Sequence, residues 1–164
     1  MGEVSSALGA FNLDKEDQHG VSVSIPGAAG SVVVFLKEDC PTCKQALPVL
    51  NAAAKALESS ASNHAGVVGI GQNAAGNTAM IDAGLIEFSL LDDSELDVSF
   101  GHDIEIVPTL LTVDSAGLIT NRLEGFVRDE WRELLGKTLQ SELNLDWSAL
   151  PEWSPGCGSL SLDP

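Results

Sequence analysis

The chain has 164 residues, 44% of them apolar, which suits one globular domain with modest extensions and supplies a single core. Its 24 acidic residues against 8 basic ones give a formal charge of -16, which repels phosphate, leaves no basic stripe for nucleic acid and disfavours docking on anionic lipid. No signal-like opening and no membrane-length apolar run occurs, so the expected location is cytoplasmic, with no membrane attachment.

Residues 1–20 show no sustained period and are expected as an N-terminal extension. Val21 to Ile25 alternates as a short strand, and Pro26, Gly27 and Gly30 mark the turn after it. The unbroken apolar run Val32 to Leu36 fits a central strand covered on both faces. Ala46, Leu47, Leu50, Ala53, Ala54 and Leu57 then recur at helical spacing on one face. A second buried strand is expected over Ala65 to Asn73, a short helix over Thr78 to Leu85 and a further strand within "IEFSLLDD". A short helix after Asp93 precedes "VPTLLTVDSAGLITNRLEGF", where two strand-like runs flank the turn residues Asp114, Ser115 and Gly117. Trp131, Leu134, Leu135, Thr138 and Leu139 form a last amphipathic helix, with Asp129, Glu130 and Glu133 early and Lys137 late, as the helix dipole favours.

Strands that first alternate with helices and then close with a hairpin predict an α/β domain over 21–143, a central mixed β-sheet flanked by helices. From Leu145 onward periodicity lapses, and residues 144–164 form a C-terminal tail that contains Cys157. Trp147, Leu150 and Trp153 are expected to pack this tail onto the domain rather than to recognise a ligand.

The chemistry concentrates in "EDCPTCKQALPVL", residues 38 to 50, at the junction of the central strand and its helix. A helix N-terminus has unpaired amide donors and a partial positive charge, so Cys40 placed there is stabilised as the thiolate that attacks disulfides. Cys43, one helical turn further in, can attack the resulting mixed disulfide and close a ring with Cys40. Pro41 fixes φ at the first helical position and places Cys40 at the cap. Three cysteines is an odd count, and a reducing compartment discourages structural disulfides, so a close pair points to catalysis or metal binding. Half of a zinc site is the alternative, with Cys157, His64, His102 and His19 as scattered further candidates, and two inert buried thiols are another.

These residues resemble the thioredoxin superfamily: a buried strand, "CPTC", and Pro48 five residues after the second cysteine, at the place of the family's helix-kinking proline. "IVPTLLTVDSAG" resembles the family's second motif, in which the bond before proline is cis and the loop lies beside the dithiol. Gly125 within "EGF" resembles the family's closing glycine, and the extra strand and helix between Asn73 and Gly101 resemble the larger reductases and the redoxin group more than minimal thioredoxin. The resemblance implies a thioredoxin-like fold and a thiol-disulfide oxidoreductase with Cys40 as nucleophile, Cys43 as resolving thiol, and Val107, Pro108 and Thr109 shaping the substrate groove. With Pro108 in that role, the amide and carbonyl of Val107 face outward, where an extended peptide can pair as an added strand.

The sequence also departs from the pattern. Val34 occupies the place of the family's buried acid, leaving Glu38 or Asp39 as replacements, and Asp39 stands where a tryptophan is usual. Lys37 replaces the threonine that peroxiredoxins carry three residues before their cysteine, which counts against direct peroxide reduction. Cys157 lies fourteen positions after Leu143. A segment of that length spans at most about 45 to 50 Å, so Cys157 can reach the dithiol as an accessory thiol that relays electrons or caps Cys40. The implied partners are a protein or small-molecule disulfide substrate and an electron donor or acceptor, with no organic cofactor or metal required. The alternative from another class is a non-catalytic binding subunit that holds a soft metal ion with Cys40, Cys43 and Cys157.

Overall fold

The computed structural model describes residues 8–58 and 66–162. A five-stranded mixed sheet organises the chain. Its centre is β3 (Ser31–Leu36), every residue of which is buried. It pairs in parallel with β4 (Gly66–Gly71) and antiparallel with β7 (Thr109–Val113). The outer strands are β5 (Ser89–Asp92) and β8 (Ile119–Glu124), giving the order β5-β4-β3-β7-β8. An apolar run with no polar alternation requires cover on both faces of its strand, and the helices provide it. These are α1 (Pro41–Glu58), α2 (Ala74–Asp82), α3 (Asp97–Gly101) and α4 (Arg128–Leu139). Helix α1 packs on β4 and on α4, and α2 packs on β4 and β5.

Local chemistry sets the element boundaries. Asn73 adopts an extended conformation and its side chain accepts from the Gly76 amide at 2.7 Å, starting α2 four residues before the apolar spacing suggests. Pro48 lies inside α1 on an exposed position, and the helix continues through it to Glu58. The buried face of α1 carries Ala46, Leu47, Leu50, Ala53 and Ala54.

The described residues before 21, expected as an extension, form part of a separate two-stranded sheet and touch the main sheet through one isolated bridge. Strand β1 (Leu13–Glu16) forms an antiparallel hairpin with β2 (Ser22–Ile25). Ahead of it, Ala10 bridges Leu118, and Phe11 is fully buried, edge-on to Phe35 with ring centroids 6.2 Å apart. The C-terminal segment is equally structured through residue 162. A 3-10 turn at Trp147–Ala149 buries Trp147, and strand β10 (Trp153–Ser154) pairs with β9 (Phe126–Val127). Strand β11 (Cys157–Gly158) pairs with β6 (Ile106–Val107). Trp153 corrects the expectation that all three tail anchors pack inward: it is 64% exposed, because strand alternation turns Ser154 to the core instead.

Candidate active site

Helix α1 begins immediately after Cys40, whose carbonyl accepts from the Lys44 amide at 3.1 Å, so Cys40 is the cap residue. Its sulfur accepts from the Cys43 amide at 3.4 Å, which points one of the helix's orphan donors at the sulfur. The acids around Cys40 have basic neighbours. Glu38 pairs with Lys44 at 3.0 Å, and Asp39, largely exposed, lies 3.9 Å from Lys37. Val34 is fully buried in β3, so no acid stands beneath the pair there.

Cys43 is buried and free. Burial pushes its thiol up to about 12, opposed by a backbone hydrogen bond from Lys37 and by that residue's positive charge, while Asp39 adds to the rise. Lys37, rather than Glu38 or Asp39, is therefore the neighbour that favours a Cys43 thiolate.

The spacing of the motif suggests Cys40 and Cys43 as disulfide partners, whereas the structure joins Cys40 to Cys157, with Cα atoms 6.0 Å apart. The physical reason is strand pairing. The bond between Val107 and Pro108 is cis, and Cys157 stands opposite Val107 in the β6–β11 ladder. The Cys40 sulfur lies 3.6 Å from the Val107 carbonyl oxygen, so the groove residue and both sulfurs meet at one point. Pro108 and Thr109 continue the same loop into β7. The Thr109 hydroxyl donates to the Ile106 carbonyl, and the Pro108 carbonyl accepts from the Gly125 amide at 2.8 Å.

The tail therefore lies where an added substrate strand is expected. Along its course the Arg128 amide donates to the Glu152 carbonyl at 2.9 Å, the Thr42 hydroxyl donates to the Pro155 carbonyl, and the Ser159 amide donates to the Glu105 carbonyl at 3.0 Å. Its far end is held by Gln72, which follows β4 and is buried. The Gln72 amide nitrogen donates to Ser99 at 2.9 Å and Ser159 at 2.7 Å, and its oxygen accepts from the Leu160 amide at 3.0 Å. Asp93 fixes Ser99 in turn through a 2.6 Å hydroxyl bond. With the tail in place Cys40 is 0% and Cys43 1% exposed.

Thr42, Gln72 and Ser159 were not visible as site residues in the sequence. A glutamine ending an apolar strand and a cysteine bracketed by glycines were the available signals. Neither names its partner without the fold.

The metal alternative meets a different arrangement. Two of its three sulfurs are bonded to each other, and among the described residues no group of three or more histidine, cysteine, aspartate or glutamate side chains is placed to hold an ion. His102 stacks on Phe11 at 4.2 Å and its pKa is lowered, first by burial and then by Arg122. The backbone of His19 is tied to Asp17, and His64 lies outside the described residues. Among the described residues no helix is long and apolar enough to cross a membrane.

No protein-family model and no curated protein sequence matches the chain. Solved structures do resemble it. StoA from Bacillus subtilis is 22% identical, with a TM-score of 0.64 over 76% of this chain and 98% of that one. The thioredoxin domain of a thiol-disulfide oxidoreductase from Bacteroides vulgatus is 20% identical, with a TM-score of 0.65 over 79% and 94%. A thiol:disulfide interchange protein from Bacteroides sp. is 21% identical, with a TM-score of 0.63 over 80% and 88%. The mixed sheet, the cysteine-capped α1 and these likenesses together make the chain a protein of the thioredoxin fold.

Proposed function

We propose that the protein is a thiol-disulfide oxidoreductase in which Cys40 is the nucleophile and Cys43 the resolving thiol. The observation that carries this reading is the meeting of three features at one sulfur: a helix cap, an amide donor, and a disulfide to a cysteine presented by a strand paired with Val107. A Cys40 thiolate attacks one sulfur of a substrate disulfide, and the other substrate sulfur leaves as thiolate. Cys43 then gives up its proton and attacks the Cys40 sulfur. The new Cys40–Cys43 bond forms as the substrate's second thiolate departs. The substrate gains two electrons, the dithiol loses two, and an external thiol donor restores it.

Val107 supplies the backbone amide and carbonyl against which the substrate strand aligns, and Pro108 and Thr109 hold that edge in place. The likeness to the two Bacteroides proteins, whose names describe thiol-disulfide exchange, supports the same class of reaction here. Cys157 is an accessory thiol in this scheme: Cys43 attack on the Cys40–Cys157 bond releases it. Equilibration in a graded glutathione series with mass readout tests the reading. A reversible two-electron couple that is lost in Cys40→Ser, together with disulfide reduction in the intact chain, is expected. Turnover that survives Cys40→Ser overturns it.

A further inference from the structure

The strand that fills the groove carries a record of what the groove accepts. Gly156 immediately precedes Cys157, and a Cβ placed on it would stand 2.1 Å from a methyl of Ile106 and 2.8 Å from the Val107 carbonyl oxygen. The methyl belongs to a stiff β-branched side chain, and the oxygen is backbone of the very strand that aligns the ligand. Gly156 is not among the glycines with positive φ, so space and not backbone conformation demands glycine there. Gly158, on the other side of Cys157, has nothing within 4 Å of its would-be Cβ. The restriction is one-sided.

Helix α1 reads the residues just upstream. Thr42, inside the Cys40–Cys43 motif and 5% exposed, donates its hydroxyl to the Pro155 carbonyl, two residues before the bonded cysteine. Gln45, one turn on, accepts from the Ser154 hydroxyl at 2.7 Å. Thr42 recognises backbone and tolerates any residue. The crowded position next to the cysteine does not.

We propose that the groove between Val107 and Gly125 takes extended polypeptide disulfides in which glycine immediately precedes the reacting cysteine, and that residues 154–158 are its resident intramolecular example. This rests on the exchange reading above. The Cys40 thiolate bonds to the peptide cysteine's sulfur while that sulfur's former partner leaves with the bonding electrons. Cys43 then bonds to Cys40 and releases the peptide thiolate.

Two measurements on the full chain test it. In a Cys43→Ser chain only Cys40 and Cys157 can pair, and their equilibrium with glutathione reports how well the tail presents its sulfur. Gly156→Ala should weaken that equilibrium by about tenfold or more, and Gly158→Ala should leave it within about twofold. Equal effects overturn the proposal. In a Cys157→Ser chain, which keeps Gly156 but loses the disulfide that seats it in the groove, the hexapeptides Ser-Pro-Gly-Cys-Gly-Ser and Ser-Pro-Ala-Cys-Gly-Ser are supplied as mixed disulfides with thionitrobenzoate. Release of that chromophore should be about tenfold faster from the glycine peptide. Equal rates, or no reaction of either peptide while a small thionitrobenzoate disulfide reacts, overturn the specificity proposal and leave the exchange reading standing. Reaction of the small disulfide that persists unchanged when Cys40→Ser is added brings down the exchange reading itself.

Discussion

Burial governs what Cys43 can do. With its thiol pushed up to about 12, only about one molecule in 100,000 carries the thiolate at neutral pH. Thiolate is the attacking form, so opening of the Cys40–Cys157 bond by Cys43 should accelerate about tenfold per pH unit until the solution approaches that pKa. Alkylation of the released Cys157 at successive pH values measures it, and a flat profile would contradict the assignment of Cys43 as resolving thiol. Lys37 is the positive neighbour that lowers this barrier. Lys37→Met should slow the opening at fixed pH and move the profile to higher pH, readouts that a merely structural role would not move together. The same burial links folding to pH. The folded pKa of Cys43 lies above the ordinary value of 9.0, so its contribution to stability is complete below that value and is lost as pH rises from 9.0 towards about 12. In denaturant titrations Cys43→Ala should flatten the decline over that window.

At the scale of elements, polar contacts decide where segments begin and lie. Asn73→Ala removes the cap of α2 and should cost about 1 kcal/mol, read from the chemical-denaturation midpoint. Strand β1 was hidden because Leu13 is its one apolar residue and the rest, Asp14, Lys15 and Glu16, is exposed and charged. Its hairpin register, Leu13 opposite Ile25, is a tertiary fact. The weight of this N-terminal segment falls on Phe11, whose ring sits between Phe35 and His102. Phe11→Ala should destabilise by about 3–5 kcal/mol, the usual range for emptying a large core site. A segment that merely draped over the surface would lose far less. The central strand and α1, by contrast, were legible because their patterns need no partner to be read. Val32 to Leu36 fits a doubly covered strand, and Ala46 to Ala54 presents one apolar face at helical spacing.

For the molecule as a whole, the Cys40–Cys157 bond joins residues 117 apart, and so closes most of the chain into a loop. Cross-links stabilise mainly by restricting the unfolded chain, typically by about 2–4 kcal/mol and by up to about 5 kcal/mol for a loop this long. The oxidised wild type should therefore lose about that much stability on reduction, while a chain carrying both Cys43→Ser and Cys157→Ser, which can form no internal disulfide, should be insensitive to reductant. Matching denaturation curves for wild type with and without dithiothreitol would contradict a population held in this bond. Reduction should also free the segment around Cys157 from the groove while its flanks stay in place. The Gln72, Ser99 and Ser159 network and the β9–β10 pairing hold it at both ends without any sulfur.

Hydrophobic period, a proline after a cysteine and a two-residue gap between thiols are local quantities, and they sufficed to expect the α/β sheet, the order of its elements and a poised sulfur at a helix cap. Which sulfur bonds to Cys40 is not local. It depends on a strand at the far end of the chain finding the edge of Val107, and that pairing is set by shape, by glycine-sized space and by hydrogen bonds from Thr42 and Gln72. Nothing in the spacing of residues along a chain encodes such complementarity, because it exists only once the sheet has brought β4, β6 and α1 to a common end.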